Sequence, residues 1–433
     1  MSVLAPERAG GRRDAATSAR QPQLVQAQPA SMLDRVARRV VLTLLARVRR
    51  GELVVIDGTR RVRLGRLDPE RPVAARVEVR SPRFYRELLR GSVGLGESYV
   101  DGLWDCDDLV ALARIGARNV RAIDTLRRAL SPLLAPAQRA AGWLARNTPA
   151  RARKQIAAHY DLGNDLFAQF LDRTMMYSCA VFERPDATLE QASLAKLERV
   201  CRKLRLTPDD HVLEIGTGWG GFAQYAAERY RCRVTTTTIS AEQHAYATQR
   251  IHDVGLSDRV TVLLADYRDR AQLDARAPYD KLVSIEMIEA VGWQYFPTFF
   301  RRCSELVAAH GAMLLQAIVI EDSAYEVEKL GRSFINTHVF PGGCLPSLQL
   351  IARMTARVTD FREAQLEDIT AHYATTLRLW RERFLASAGR LAELGYDERF
   401  RRLWELYLSY CEGGFRERRI QDVQLLLAKP GFR

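Results

Sequence analysis

Apolar and polar positions change their period along this chain, and the changes divide it. In Ser31 to Arg50, "SMLDRVARRVVLTLLARVRR", the residues Leu33, Val36, Val40, Val41, Leu44, Leu45 and Val48 recur at helical spacing, with Ser31 as an N-cap and Asp34 three positions later. The spacing predicts an amphipathic helix whose other face carries Arg35, Arg38, Arg39, Arg47, Arg49 and Arg50. Such a helix either lies on an anionic membrane or packs on its own domain with its arginines in water, and the pattern leaves both open. Period two takes over in "ELVVIDGTRRVRL", which has a DG turn at Asp57 and Gly58, and in "ARVEVRS", which stops at Pro82. Together with the helical, Gly-punctuated stretch "LLRGSVGLGESYVDGLWDCDDLVALARIG", these strands predict a small α+β domain over 31–120. Residues 1–30 read as a disordered lead and 121–154 as a basic, proline-interrupted linker.

From about Thr188 strands and helices alternate. "HVLEI", "CRVTTTT", "RVTVLLAD", "YDKLVSIEM" and "GAMLLQAIVI" read as strands, separated by helices such as Leu189 to Leu206 and one around Pro297 to Ala309. This pattern predicts an α/β fold with a parallel sheet wound on both faces, in a domain over 155–433.

Composition narrows the context. At 433 residues and 47% apolar content the chain has room for two or three globular domains. No apolar run approaches the roughly 18 residues needed to cross a bilayer, and the N-terminus lacks a signal-type apolar core. Seven scattered cysteines, odd in number and without a CxxC pair, point to reduced thiols and a cytoplasmic setting, and argue against disulfides and a zinc or other metal site. The net charge of +13 asks for an anionic partner, nucleic acid or an anionic lipid surface. Only six of the 65 basic residues are Lys, and a GC-rich genome produces the same Arg dominance, so charge does not choose between them.

Two stretches carry candidate chemistry. "LEIGTGWGG" sets Gly216, Gly218 and Gly220 between a strand and a helix, where backbone can approach a ligand and helix amides can face it. Through Gly216, Gly218 and Gly221 it also satisfies G-x-G-x-x-G, so a nicotinamide cofactor competes. Glu214 two residues before the turn, Asp266 after the third strand and the acids after the fourth tilt the choice to S-adenosylmethionine, whose adenosine needs acceptors and whose sulfonium favours acids and aromatics. The second strand ends in Thr237 and Thr238, not in an acid; Gln243 either serves the ribose or forms an S-x-x-Q capping box with Ser240. "SIEMIEAVGWQYF" delivers Glu286 and Glu289 where an apolar strand stops, the place where ligands sit in open parallel sheets.

Taken in order, "AAHYDLGNDLFAQFLDRTMMYSCAVF", "LEIGTGWGG", "TTISAEQ", "SIEMIEAVG", "FINTHVFPGGCLPS" and "HYATTLRLWRERF" resemble the cyclopropane fatty acid synthases, including the mycolic acid cyclopropane synthases. Upstream, "GSVGLGESYVDGLWDCDDL" resembles the N-terminal domain of phospholipid-acting members, so the likeness runs from about Arg83 to the C-terminus. The resemblance implies a class I S-adenosylmethionine methyltransferase domain, Rossmann-like, that methylates a cis double bond in a phospholipid acyl chain and closes a cyclopropane by deprotonating a carbocation with bound bicarbonate. It further implies that bicarbonate is held by the backbone at Cys179, the Glu289 carboxylate, Gln316, the Ile318 amide and the Tyr373 hydroxyl, with Glu286 left as local structure. Cofactor contacts implied in the same way are Tyr177, Ser178, Glu214, Gly216, Gly218, Thr238, Gln243, Asp266, Tyr267 and Ile285, with His159 and Tyr160 in a lid. The sequence departs from the family at Gln316, where well-studied members carry His; Gln donates a hydrogen bond but takes no proton.

Cys179, Tyr373, His159 and Tyr160 also fit as ordinary packing residues. The rival functions are a methylene-forming fatty acid methyltransferase, a non-catalytic lipid-binding protein and a nucleic-acid methyltransferase; the last lacks an "NPPY"-like motif and a placed cysteine nucleophile. The partners expected are therefore unsaturated phospholipid at the inner membrane face, bound peripherally, without nucleic acid, and a second copy in a homodimer.

Overall fold

Ser31 begins the first helix, α1 (Met32–Leu45), with a capping box: its hydroxyl accepts from the Asp34 amide while the Asp34 carboxylate accepts from the Ser31 amide. In the computed structural model, which describes residues 30–120 and 162–433, α1 ends at Leu45 and not near Arg50. The lead, the linker, His159 and Tyr160 lie outside the described residues. Ala37 and Val41 enter the core, whereas Met32, Leu33, Val36, Val40 and Leu44 face outward, 75, 67, 55, 43 and 50% exposed. Arg38 turns inward instead, donating to Asp57 at 2.7 Å beneath the Tyr85 ring.

Four strands support this helix: β1 (Gly51–Asp57), β2 (Arg60–Arg66), β3 (Ala74–Val79) and β4 (Trp104–Cys106), in the order β2-β1-β3-β4. Asp57 and Gly58 open the β1–β2 turn, with Gly58 at φ 59, and the alternating burial of β3 puts Ala75, Val77 and Val79 against the core.

The second sheet contains β5 (His211–Ile215), β6 (Arg233–Thr238), β7 (Val260–Leu264), β8 (Tyr279–Ile285), β9 (Val307–Ile320), β10 (Arg362–Asp368) and β11 (Ile420–Ala428), ordered β10-β11-β9-β8-β5-β6-β7. Strands β5 to β9 are parallel, and helices cover both faces, so Leu282, Val283, Met313, Leu314 and Leu315 are wholly buried. The expected all-parallel sheet is corrected at one edge: β11 inserts antiparallel between β9 and β10. Strand order reverses at β5, whose neighbours are β6 and β8; such a switch point opens a crevice at the carboxyl ends, here at Gly216 and Glu286.

The two sheets are joined through the helix Gly91–Val100. Arg402, on the helix Glu398–Arg416, donates to the Tyr99 carbonyl at 2.7 Å and lies 3.9 Å from the Tyr99 ring centroid. Gly96 meets the Phe334 ring so closely that an added Cβ would sit 2.1 Å from Cδ2.

Candidate functional site

The glycine turn occupies the β5 side of the crevice. Gly216, Gly218 and Gly220 have φ values of 108, 52 and 82, conformations that side chains with a Cβ rarely adopt. Space beyond Gly218 is open, and the helix Gly221–Tyr230 starts with no side chain capping its amides. Trp219 anchors the turn by donating to Asn164 at 2.7 Å. Beneath it Glu214 accepts from Thr236 at 2.6 Å, and burial pushes its carboxyl up to about 8. Thr238 donates to the Gln243 side chain at 2.9 Å, while the Ser240 hydroxyl accepts from the Gln243 amide, so only half of the expected capping box forms. Asp266 holds Arg268 in a two-pronged pair at 2.6 and 2.7 Å, and the buried Tyr267 hydroxyl has no hydrogen-bond partner among the described residues. An open glycine turn, an uncapped helix start and an orphaned hydroxyl fit an adenosine-bearing cosubstrate.

Across the crevice, the end of β8 differs from the expectation. Glu286, read from sequence as local structure, is the hub: its Oε1 accepts from the Cys179 amide at 2.8 Å and from Gln316 Nε2 at 2.7 Å. Its Oε2 accepts from the Tyr373 hydroxyl at 2.5 Å. Glu289 meets only one of the groups expected around it, the Ile318 amide, at 2.5 Å, and its other oxygen is buried without a hydrogen-bond partner among the described residues. The groups implied for bicarbonate are thus divided between two carboxylates. With these donors already taken, a separate bicarbonate does not fit.

The backbone explains the exchange. Glu286 sits at φ 48, left-handed, pinned by its own amide donating to the Gln316 carbonyl at 2.9 Å, which swings the side chain toward Cys179. Gln316 is oriented from behind: Gln424 donates to its Oε1 at 3.0 Å, and Lys203 donates to Gln424 at 2.7 Å. Burial raises the Glu286 carboxyl above its ordinary range, and the Tyr373 hydroxyl and Cys179 amide oppose that rise. Asp422, wholly buried and facing Gln316 at 3.1 Å, is held well above its range by burial and then by the charge on Glu286. Glu289 is pushed up to about 8 by burial and then by Glu286. Burial also keeps the Cys179 thiol neutral, so it offers its backbone and not a nucleophile. Lys196 completes the cluster, wholly buried, donating to Ser178 at 2.9 Å and lowered to about 8 by burial.

Sequence reasoning missed Asp422, Lys196 and Gln424 as well as the role of Glu286. Glu286 had a signal, an acid at a strand end; the other three stand on the antiparallel strand β11 and on a helix, whose local patterns say nothing of the site. Tyr177, its ring 5.3 Å from Trp380 and its hydroxyl 2.8 Å from that of Tyr407, walls the crevice beside Ser178, and Ile285 stands at the tip of β8.

Residues 147–425 match the family model described as mycolic acid cyclopropane synthetase. The chain is 38% identical over 419 residues to the tuberculostearic acid methyltransferase UfaA1 of Mycobacterium tuberculosis, covering 94% of this chain and 92% of that protein. It is 39% identical over 363 residues to the cyclopropane-fatty-acyl-phospholipid synthase of Escherichia coli (strain K12), covering 82% of this chain and 88% of that one. The solved structure of mycolic acid cyclopropane synthase CmaA1 complexed with SAH and CTAB superposes with a TM-score of 0.58 at 33% identity, over 64% of this chain and 98% of that chain. Because the family match runs through both the glycine turn and the acid cluster, the chain belongs to the cyclopropane synthetase family and is an S-adenosylmethionine-dependent methyltransferase of the class I, Rossmann-like α/β fold.

Proposed function

We propose that this enzyme methylates a cis double bond in an unsaturated phospholipid acyl chain and closes it to a cyclopropane. The observation that carries the reading is a deep carboxylate cluster, Glu286 with Asp422 and Glu289, set beside the aromatic side chains Tyr177, Trp380 and Tyr373 at the carboxyl end of the sheet. S-adenosylmethionine, when bound, supplies an electrophilic methyl group. The chain's own contribution is to face the resulting cation with anionic and π-rich groups and to exclude water, which would trap it as an alcohol. Tyr373, stacked on Phe415 with ring centroids 4.3 Å apart, is rigid enough to hold its hydroxyl in place.

A second reading is favoured by the alignment with a fatty acid methyltransferase along nearly the whole chain. After methyl transfer, a hydride shift and proton loss would leave an exocyclic methylene. Ring and methylene products have the same mass, so proton NMR of the recovered fatty acids is the test. Incubating the enzyme with S-adenosylmethionine and vesicles of a cis-unsaturated phospholipid is expected to yield upfield cyclopropane protons. Vinylidene protons would establish the second reading, and lipid without added carbon would overturn both.

The lipid reaches the site from a membrane, and α1 is the surface we assign to it. No helix among the described residues is long and apolar enough to cross one. Its outward row Leu33, Val36, Val40 and Leu44, flanked by exposed Arg35, Arg39 and Arg47, matches an anionic lipid surface. Replacing Val36 and Val40 by Glu is expected to cut sedimentation with anionic vesicles by about tenfold or more, since two apolar contacts are lost and repulsion is added. S-adenosylmethionine affinity should stay unchanged; unaltered sedimentation would remove α1 from that role.

A further inference from the structure

We propose that Glu286 is itself the base of the reaction, its carboxylate standing in the place that the family resemblance gives to bicarbonate. The inference rests on the lipid-methylation reading and deepens it. Bicarbonate and a carboxylate share a planar CO₂ group, so donors arranged for one accept the other. Here the Cys179 amide, Gln316 Nε2 and the Tyr373 hydroxyl all converge on the Glu286 side chain, at 2.8, 2.7 and 2.5 Å. Covalent attachment to β8 fixes the carboxylate, where a free ion would have to be recruited from solution.

The neighbours suit an anion that receives one proton. Oε1 accepts two hydrogen bonds and Oε2 one, from Tyr373, which leaves Oε2 capacity for a proton. Gln316 donates without exchanging protons, and its orientation is set by Gln424 and Lys203. Among the described residues the titratable groups around Glu286 are Tyr373, Cys179, Asp422, Glu289 and Lys196; burial raises the first four above their ordinary ranges, and Lys196 is the nearby cation that favours the charged carboxylate. Glu286 follows directly on β8 at the carboxyl end of the sheet, where ligands sit in open parallel sheets.

The step balances. The olefin π pair forms the new C–C bond while the S–CH₃ pair stays on sulfur, leaving S-adenosylhomocysteine and a cation at the adjacent carbon. Glu286 Oε2 then takes a proton from the new methyl, and the C–H pair closes the ring. The proton leaves Glu286 for solvent after product release.

The test uses the full-length enzyme in carbon-dioxide-depleted buffer with S-adenosylmethionine and cis-unsaturated phospholipid vesicles. Turnover is expected to be the same with and without added bicarbonate, and Glu286→Gln is expected to lose about 100-fold or more in kcat with S-adenosylmethionine affinity unchanged. Glu286→Gly suits the left-handed backbone at this position and clears the carboxylate while leaving its three donors. Carbon NMR of labelled bicarbonate is expected to report binding to Glu286→Gly and none to the unaltered enzyme. Bicarbonate binding to the unaltered enzyme, turnover that requires it, or a Glu286→Gln variant with full activity would each overturn the assignment. The NMR readout needs no turnover, so failure of the lipid reading and failure of this inference remain distinguishable.

Discussion

Lys196→Met should lower the unfolding free energy by about 3–5 kcal/mol, the range for removing one partner from a buried charge cluster. Lys196 is wholly buried on the helix Leu189–Leu204, bonded to Ser178, and its charge favours the ionised forms of Glu286 and Glu214. Methionine fills a similar volume, so the loss isolates the charge. The second consequence is catalytic. Glu286 already has a raised carboxyl, and only its ionised form can take a proton, so activity falls as pH drops through that value. Without the cation the value rises further, and the acid limb of the kcat profile should move to higher pH. Denaturant unfolding and a pH–rate profile measure the two effects separately; unchanged stability with an unmoved acid limb would mean that Lys196 is not coupled to the cluster.

Gly216→Ala should weaken S-adenosylmethionine binding by about 10- to 100-fold, from backbone strain of about 1–3 kcal/mol at a φ of 108 that only glycine adopts readily. An alanine Cβ would also press on Met287 at 3.3 Å, between the glycine turn and the acid cluster. Relief of either contact moves the turn whose amides face the crevice. Gly102→Ala makes the appropriate control: its φ is 72, nothing lies within 4 Å of its added Cβ, and it belongs to the other sheet's domain. Calorimetric titration should separate the two variants, with affinity lost at Gly216 and kept at Gly102. Equal affinities would mean that the turn does not carry the cosubstrate.

The glycine turn and Glu286 differ in how far the chain announces them. The glycine turn was legible because strand, turn and helix follow one another within a short stretch, and each has its own periodicity. Glu286 was visible as an acid at a strand end, but its reading as local structure failed on conformation. Its left-handed backbone is imposed by pairing with Gln316 on β9, thirty residues away, and reverses which acid meets Cys179 and Tyr373. The antiparallel insertion of β11 was equally silent, since its apolar run would suit a parallel strand, yet it brings Asp422 and Gln424 behind Gln316. In α1 the heptad-like spacing announced a helix but not its rotation; packing on Ala37 and Val41 turned Leu33, Val36 and Val40 outward and Arg38 inward.

By itself, then, the sequence determined the α/β alternation, the glycine turn between β5 and its helix, the cap at Ser31 and the presence of two acids after β8, because these depend on interactions among residues a few positions apart. Tertiary structure decided which acid is the hub, which residues orient it and which face of α1 is free, because those outcomes depend on burial and on hydrogen bonds between residues such as Cys179, Glu286, Gln316, Tyr373 and Asp422 that no local pattern connects.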